Sequence, residues 1–215
     1  IKISKNFLLK ARYVADGHRT GVPAAITYST VVGRDSVRII LVVATPNDLE
    51  IDRADVKNAF LLAPNLEKNW MIAGAEFGAE QGVTFIVVRA LYGLKSAAGA
   101  FRKVMAERLN DLGSTSSLAD PDVWMCAAVK PNGEEYYEYL LMYVDDLLDV
   151  SVNARIVLES IQGGTIKYKR GLVEEPESYL GAKLQKRKVD SIECWSIGSV
   201  DYINAAIKTV EEALK

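Results

Sequence analysis

Asp145 and Asp146 stand side by side between two apolar runs, residues 136–144 and 147–152. Desolvating a carboxylate is costly unless its charge is compensated, and a divalent cation is the natural compensator. Neighbours on a strand point to opposite faces, so both acids can serve one metal site only where the backbone turns. The two runs are therefore expected to form a tight hairpin with Asp145-Asp146 at its tip. The competing reading is plain turn chemistry, two polar residues turned to water. A third carboxylate, Asp55, is expected at the end of a strand over residues 49–56, before the turn Lys57-Asn58-Ala59-Phe60. Mg²⁺ is a hard cation that takes oxygen ligands and keeps positions open for phosphate oxygens. Three aspartates from two adjacent strand ends, without histidine or cysteine, match a two-metal phosphoryl-transfer site with ions about 3.5 to 4 Å apart. Asp52 falls on the opposite face of a regular strand and is left out of the set.

The elements that must position these acids alternate along the chain. Residues 35–44 read as a buried helix ended by Pro46, and 49–56, 70–73 and 83–90 as strands. The clearest helix has Ser96 as N-cap and Gly113 as stop, with Ala97, Phe101, Met105, Leu109 and Leu112 on its apolar side. Beyond the hairpin come a short helix over 153–162, strands over 166–169, 179–185 and 192–197, and an amphipathic helix over 200–214. No repeat or low-complexity linker interrupts them. The pattern is α+β with a mostly antiparallel sheet.

Composition narrows the function classes. The 215 residues carry 26 basic and 28 acidic side chains, a net charge of −2, and 49% are hydrophobic, which excludes a disordered chain. No apolar run reaches the roughly 18 to 20 residues of a membrane span, and no signal-peptide plan is expected at residues 1–10. Two distant cysteines, Cys126 and Cys194, and a single histidine, His18, support neither a disulfide framework nor a zinc site, so a metal here would be held by carboxylates. The near-neutral total hides two basic flanks. Lys2, Lys5, Lys10, Arg12 and Arg19 face only Asp16 within residues 1–20, and seven bases face three glutamates within 166–188. Each is either a solvated face or, around an acidic centre, the means of holding a polyanion over a metal site.

Five segments in sequence order carry a family resemblance. Lys10-Ala11-Arg12-Tyr13-Val14, Asp55-Val56-Lys57-Asn58-Ala59-Phe60-Leu61, Ala90-Leu91-Tyr92-Gly93-Leu94-Lys95-Ser96, Tyr143-Val144-Asp145-Asp146 and Tyr179-Leu180-Gly181-Ala182-Lys183 resemble the reverse transcriptase domain of copia-type LTR retrotransposon Pol polyproteins. The resemblance implies a right-hand polymerase with an antiparallel palm sheet backed by helices, partial fingers and a vestigial thumb. It places a fingers-like segment with the buried helix at 1–48, the palm at 49–190 and the start of a thumb, or a C-terminal hairpin and helix, at 191–215.

It also implies roles. Asp55, Asp145 and Asp146 would be the catalytic carboxylates and, with Val56, hold two Mg²⁺ ions, for which Mn²⁺ could substitute. Arg12 would grip the triphosphate with its guanidinium fork, ahead of Lys5 and Lys10. Phe60 would lie under the sugar and select deoxynucleotides, unless it is a core aromatic. Tyr92 and Gly93 would floor the nucleotide pocket, and Lys95 would lie beside template or nucleotide. Tyr143, Tyr179, Leu180, Gly181 and Lys183 would lie on the nucleic-acid side. The implied partners are an RNA or DNA template with primer, a dNTP and other Pol polyprotein regions, with no membrane, in a cytoplasmic virus-like particle.

The chain departs from the family after Lys95. Ser96-Ala97-Ala98-Gly99-Ala100-Phe101 stands where the family has Gln-Ser-Pro-Arg-Ala-Trp, which puts that helix's template contacts in question. Two readings follow: RNA-directed DNA synthesis, or a truncated nucleic-acid-binding remnant with weak or no catalysis. A metal-dependent nuclease shares the carboxylate chemistry but has no motif here.

Overall fold

The computed structural model describes residues 2–3, 9–10, 12–25 and 27–214. Two-residue strands β1 (Lys2–Ile3) and β2 (Leu9–Lys10) pair antiparallel. Helix α1 (Arg34–Ala44) buries Val37, Ile40, Leu41 and Ala44, whose three- and four-residue spacing puts them on one side. A 3₁₀ turn containing Pro46 ends it, and Asp48 in the left-handed region (φ 52°) redirects the chain into strand β3 (Glu50–Val56). Next come a one-turn helix α2 (Ala59–Leu62), strands β4 (Trp70–Ile72) and β5 (Thr84–Ile86), and helix α3 (Ala97–Asp111). Gly113 (φ 87°) closes α3, since a left-handed stop suits a residue without Cβ. The strands β6 (Thr115–Ser116), β7 (Val123–Val129), β8 (Glu135–Tyr143) and β9 (Asp146–Ser151) follow. Helix α4 (Ala154–Ile161) is capped by the Asn153 side chain, which accepts from the Ile156 N–H. The chain ends in β10 (Tyr168–Glu174), β11 (Ser178–Tyr179), β12 (Ala182–Val189), β13 (Ile192–Gly198) and helix α5 (Val200–Ala213).

The fold is α+β, with every sheet antiparallel. It divides into two units, Ile1–Ser29 with Asn58–Glu107, and Thr30–Lys57 with Arg108–Lys215. The first contains the β4–β5 ribbon, the second a six-stranded sheet in the order β10-β3-β9-β8-β7-β6 and a three-stranded sheet β11-β12-β13. One face of the larger sheet offers Ile51, Val123, Leu141, Leu148 and Val150 to Ile40 and Leu41 of α1, with Tyr179 and Leu184 completing that core. The other face carries Ala54, Leu147, Met142 and Leu140, and α4 packs over β3 and β9. Among the described residues no helix is long and apolar enough to cross a membrane.

Several boundaries differ from the sequence expectation, each for a local reason. The hairpin tip is Val144-Asp145, not Asp145-Asp146, because the ladder already begins at Tyr143 opposite Asp146. Val144 takes the positive φ (54°) that a two-residue loop demands, a strained choice for a β-branched side chain. The stretch 179–185 is not one strand. Leu180 (φ 51°) and Gly181 (φ 75°) reverse the chain, so Tyr179 pairs back onto Ala182. The expected strands at 70–73 and 83–90 shrink to the three-residue β4 and β5, and that at 166–169 lengthens and shifts to β10. β7 is missing from the sequence reading, because Val-Trp-Met-Cys-Ala-Ala-Val has no clean period of two.

Four polar side chains are buried among the described residues, Ser96, Asp122, Asp149 and Ser151. Asp149 of β9 is 0% exposed; one carboxyl oxygen accepts from Ser151 Oγ at 2.7 Å and the other has no partner. Burial raises its pKa well above the usual carboxylate range, against the Ser151 hydrogen bond, and the nearby Glu138 and Asp52 raise it further. A carboxyl whose folded pKa exceeds its unfolded value adds stability below the unfolded value, and that contribution is lost as pH rises towards the folded one. Urea midpoints of the wild type should therefore fall, relative to Asp149→Asn, as pH increases from 4 to 8. A difference that does not change with pH would show that Asp149 folds ionised.

Candidate functional site

The acidic cluster belongs to the second unit and is built at the ends of β3 and β9. Antiparallel pairing sets Asp55 opposite Asp146, so their side chains share one sheet face, and Arg53 lies two residues back on that face. The Val56 N–H donates to the Asp145 carbonyl at 2.7 Å and the Lys57 N–H to the Lys167 carbonyl at 2.8 Å, which fix the turn against β3. Val56 itself is fully buried.

Between β10 and β3 the register shifts over Tyr168 to Val173, with Gly171 at φ 66°. Lys169 lies in that irregular stretch, where a bulge re-aims side chains. Its ammonium donates to Asp55 Oδ2 at 2.6 Å and to Asp145 Oδ2 at 3.1 Å, and it also contacts Asp55 Oδ1. Burial disfavours the charged lysine, but the hydrogen bonds to Asp55 and Asp145 outweigh it and its pKa rises. Asp146 instead pairs with Arg53, Oδ1 to Nη2 at 3.3 Å. Burial pushes the Asp146 carboxyl up to about 6 against the pull of Arg53, with Asp55 and Asp145 adding to the rise. Asp55 and Asp145 thus present oxygens to one shared cation, the donor set a hard metal ion uses. Asp146 is drawn to Arg53, and among the described residues no three acid, thiol or imidazole groups converge as a metal cage.

The residues expected on the nucleotide side lie in the first unit. The Phe60 ring lies 4.8 Å from that of Tyr92 and 6.3 Å from that of Phe101. The exposed Arg12 guanidinium sits 4.7 Å over the Tyr92 ring, a cation–π contact. Gly93 (φ 90°) allows a close approach, but of the chain's own backbone: a Cβ there would collide with the Ala15 carbonyl, and the Ala15 N–H donates to the Tyr92 carbonyl at 2.7 Å. Lys95 is a tether, donating to the carbonyls of Thr20 at 2.8 Å and Gly21 at 3.3 Å. Lys5 and the Lys10 side chain lie outside the described residues.

Of the residues expected on the nucleic-acid side, Tyr143 is exposed beside the hairpin turn and Lys183 is exposed on β12. Leu180 and Gly181 form the β11–β12 turn. Tyr179, expected on the same side, is 1% exposed and its hydroxyl donates to the Leu141 carbonyl at 3.1 Å, so its ring packs against β8.

Sequence reasoning missed Lys169 and Arg53. Lys169 had been counted within a basic flank, and nothing local links it to an aspartate 114 residues away. Arg53 alternates with Asp55 along β3, a signal that was legible.

Residues 2–213 match the family model described as reverse transcriptase (RNA-dependent DNA polymerase). Relatives include the "Retrovirus-related Pol polyprotein from transposon RE1" of Arabidopsis thaliana, 28% identical over 82% of this chain and 12% of the relative. That from transposon RE2 of the same plant is 32% identical over 70% of this chain and 10% of the relative. That from transposon TNT 1-94 of Nicotiana tabacum is 30% identical over 69% and 11%. The chain thus spans about a tenth of the length of the curated relatives it matches. It belongs to the reverse transcriptase family of copia-type retrotransposon Pol polyproteins.

Proposed function

We propose that this chain carries a polymerising centre that joins a deoxynucleoside triphosphate to a primer 3′-hydroxyl on an RNA or DNA template. The observation that carries the reading is the convergence of Asp55 and Asp145 on a single cation. In this reading Asp55 and Asp145, beside Val56, hold two Mg²⁺ or Mn²⁺ ions, and Asp146 is the looser third carboxylate. When bound, such ions lower the pKa of an attacking hydroxyl and neutralise the leaving pyrophosphate. The protein's own residues bind and orient. Arg12 grips phosphate oxygens in pairs, Phe60 excludes a 2′-hydroxyl, and Tyr92 and Gly93 floor the pocket. Tyr143, Leu180, Gly181 and Lys183 line the primer side, while Lys95 secures the loop at Thr20 and Gly21. Residues 49–190 would be palm, 1–48 fingers-like and 191–215 the start of a thumb. The unit formed with residues 58–107 favours counting those with the fingers as well.

The second reading, a binding remnant without catalysis, is favoured by one observation: the acids are already neutralised from within, by Lys169 and Arg53. In the polymerase reading Lys169 is a placeholder that withdraws when a metal ion arrives.

Three measurements separate these readings. Asp145→Asn removes an anionic ligand at almost constant volume, so primer extension should fall by at least about a hundredfold while the circular dichroism spectrum is retained; extension at the wild-type rate ends the proposal. Phe60→Ala should admit ribonucleotides, and unchanged sugar discrimination would reassign the ring to packing on Tyr92 and Phe101. Lys169→Met removes the competing ammonium, so Mn²⁺ binding followed by electron paramagnetic resonance should tighten several-fold. Unchanged or weaker Mn²⁺ binding would sink the placeholder role.

A further inference from the structure

On the sheet face covered by α4, opposite the one that carries Asp55 and Asp146, a cavity of about 250 Å³ opens beside β8 and β9. Its walls are apolar, including Leu109, Leu140, Val157 and Ile161, and its polar lining includes Trp124, Glu138 and Asp149. Among the described residues no lysine, arginine or histidine lines it. Two buried polar atoms on this lining have no partner: Asp149 Oδ2 and Trp124 Nε1. Leu140 pairs across the sheet with Trp124 on one side and with Asp149 on the other. The strands that carry the two residues are therefore two spacings apart, about 10 Å between backbones, with Leu140 between them.

Buried polar groups in native proteins are almost always satisfied, and leaving one unmet costs about 1 to 3 kcal/mol. A hydrogen-bond donor is wanted at the Asp149 end and an acceptor at the Trp124 end, with an apolar body between. A donor with positive charge at that end would draw Asp149 from the neutral form that burial favours into its carboxylate. Burial lifts the pKa of both Glu138 and Asp149, a cost that a cation placed between them would relieve.

We propose that this cavity is a binding site for a small aromatic amine, its ammonium on Asp149 and Glu138, its ring over Leu140 and an oxygen accepting from the Trp124 indole. The site is separate from the acidic cluster, since Asp149 and Asp146 are an odd number of residues apart on β9 and face opposite ways. It is nonetheless built on the same strand.

Tyramine is a suitable probe, because it carries an ammonium, a ring and a phenol oxygen in line. The chain has 3 tryptophans, so a ¹⁵N-labelled full chain gives few indole signals, and Trp124→Phe assigns the relevant one. Tyramine should shift the Trp124 indole signal saturably, and Asp149→Asn, which keeps the side-chain shape, should weaken binding by about tenfold or more. Glu138→Gln should weaken it to a smaller degree. p-Cresol, which has the ring and phenol oxygen without the ammonium, should bind far less well. No shift of the Trp124 signal at high tyramine concentration overturns the proposal and leaves the cavity to water. Equal binding of p-cresol, or undiminished binding to a folded Asp149→Asn chain, also overturns it and leaves an unspecific apolar cavity.

Discussion

Two carboxylates at neighbouring strand ends repel one another and are stable as anions only with positive charge between or beside them. Here Lys169 stands between Asp55 and Asp145, and Arg53 stands beside Asp146. Three features of the second unit bring about that meeting. Pairing of β3 with β9 sets Asp55 against Asp146, the Val144-Asp145 loop turns Asp145 back towards β3, and the irregular start of β10 delivers the lysine. The core under α1 holds those strand ends still, because Ile51, Leu148 and Val150 are almost entirely buried between helix and sheet. The internal cations answer an electrostatic demand that the sheet itself creates.

The two units solve different problems. Around the acids the need is for charge balance, met by side chains that reach across strands. Around Tyr92 the need is for close backbone approach. Gly17 and Gly93 supply it, since a Cβ on either would collide with carbonyl atoms, and the Lys95 ammonium ties down the Thr20–Gly21 carbonyls nearby. The Phe60 ring then meets Tyr92 at a tilt and Phe101 edge-on, with the Arg12 guanidinium over the Tyr92 ring.

Much of this could be read from the chain, and the gaps have physical causes. Helix α3 was legible because an apolar stripe, a serine start and a glycine stop agree on its limits. The antiparallel α+β class was legible from alternating runs with tight turns. The exact hairpin tip was not, since Val144 is a residue that local preference keeps out of the left-handed region. Nor was the break at Leu180, for the same reason. For the candidate site, motif order singles out the aspartates, Arg12, Phe60 and Tyr92, whereas the lysine that contacts two of those aspartates is hidden by sequence distance. A motif gives proximity but not depth, so the burial of Tyr179 and the bond of its hydroxyl to Leu141 were not legible.

The two-residue loop between β8 and β9 has a consequence for which insertions and deletions the gene could tolerate. Adding or losing one residue at Val144-Asp145 would slide β9 by one place, and in a strand that exchanges every inward side chain for an outward one. Asp146 would then leave Arg53 for the opposite side, while Leu148 and Val150 would quit the apolar interior. Drift in length at this point is thus barred twice over, by charge on one surface of the sheet and by packing on the other, even where substitution of single residues is permitted.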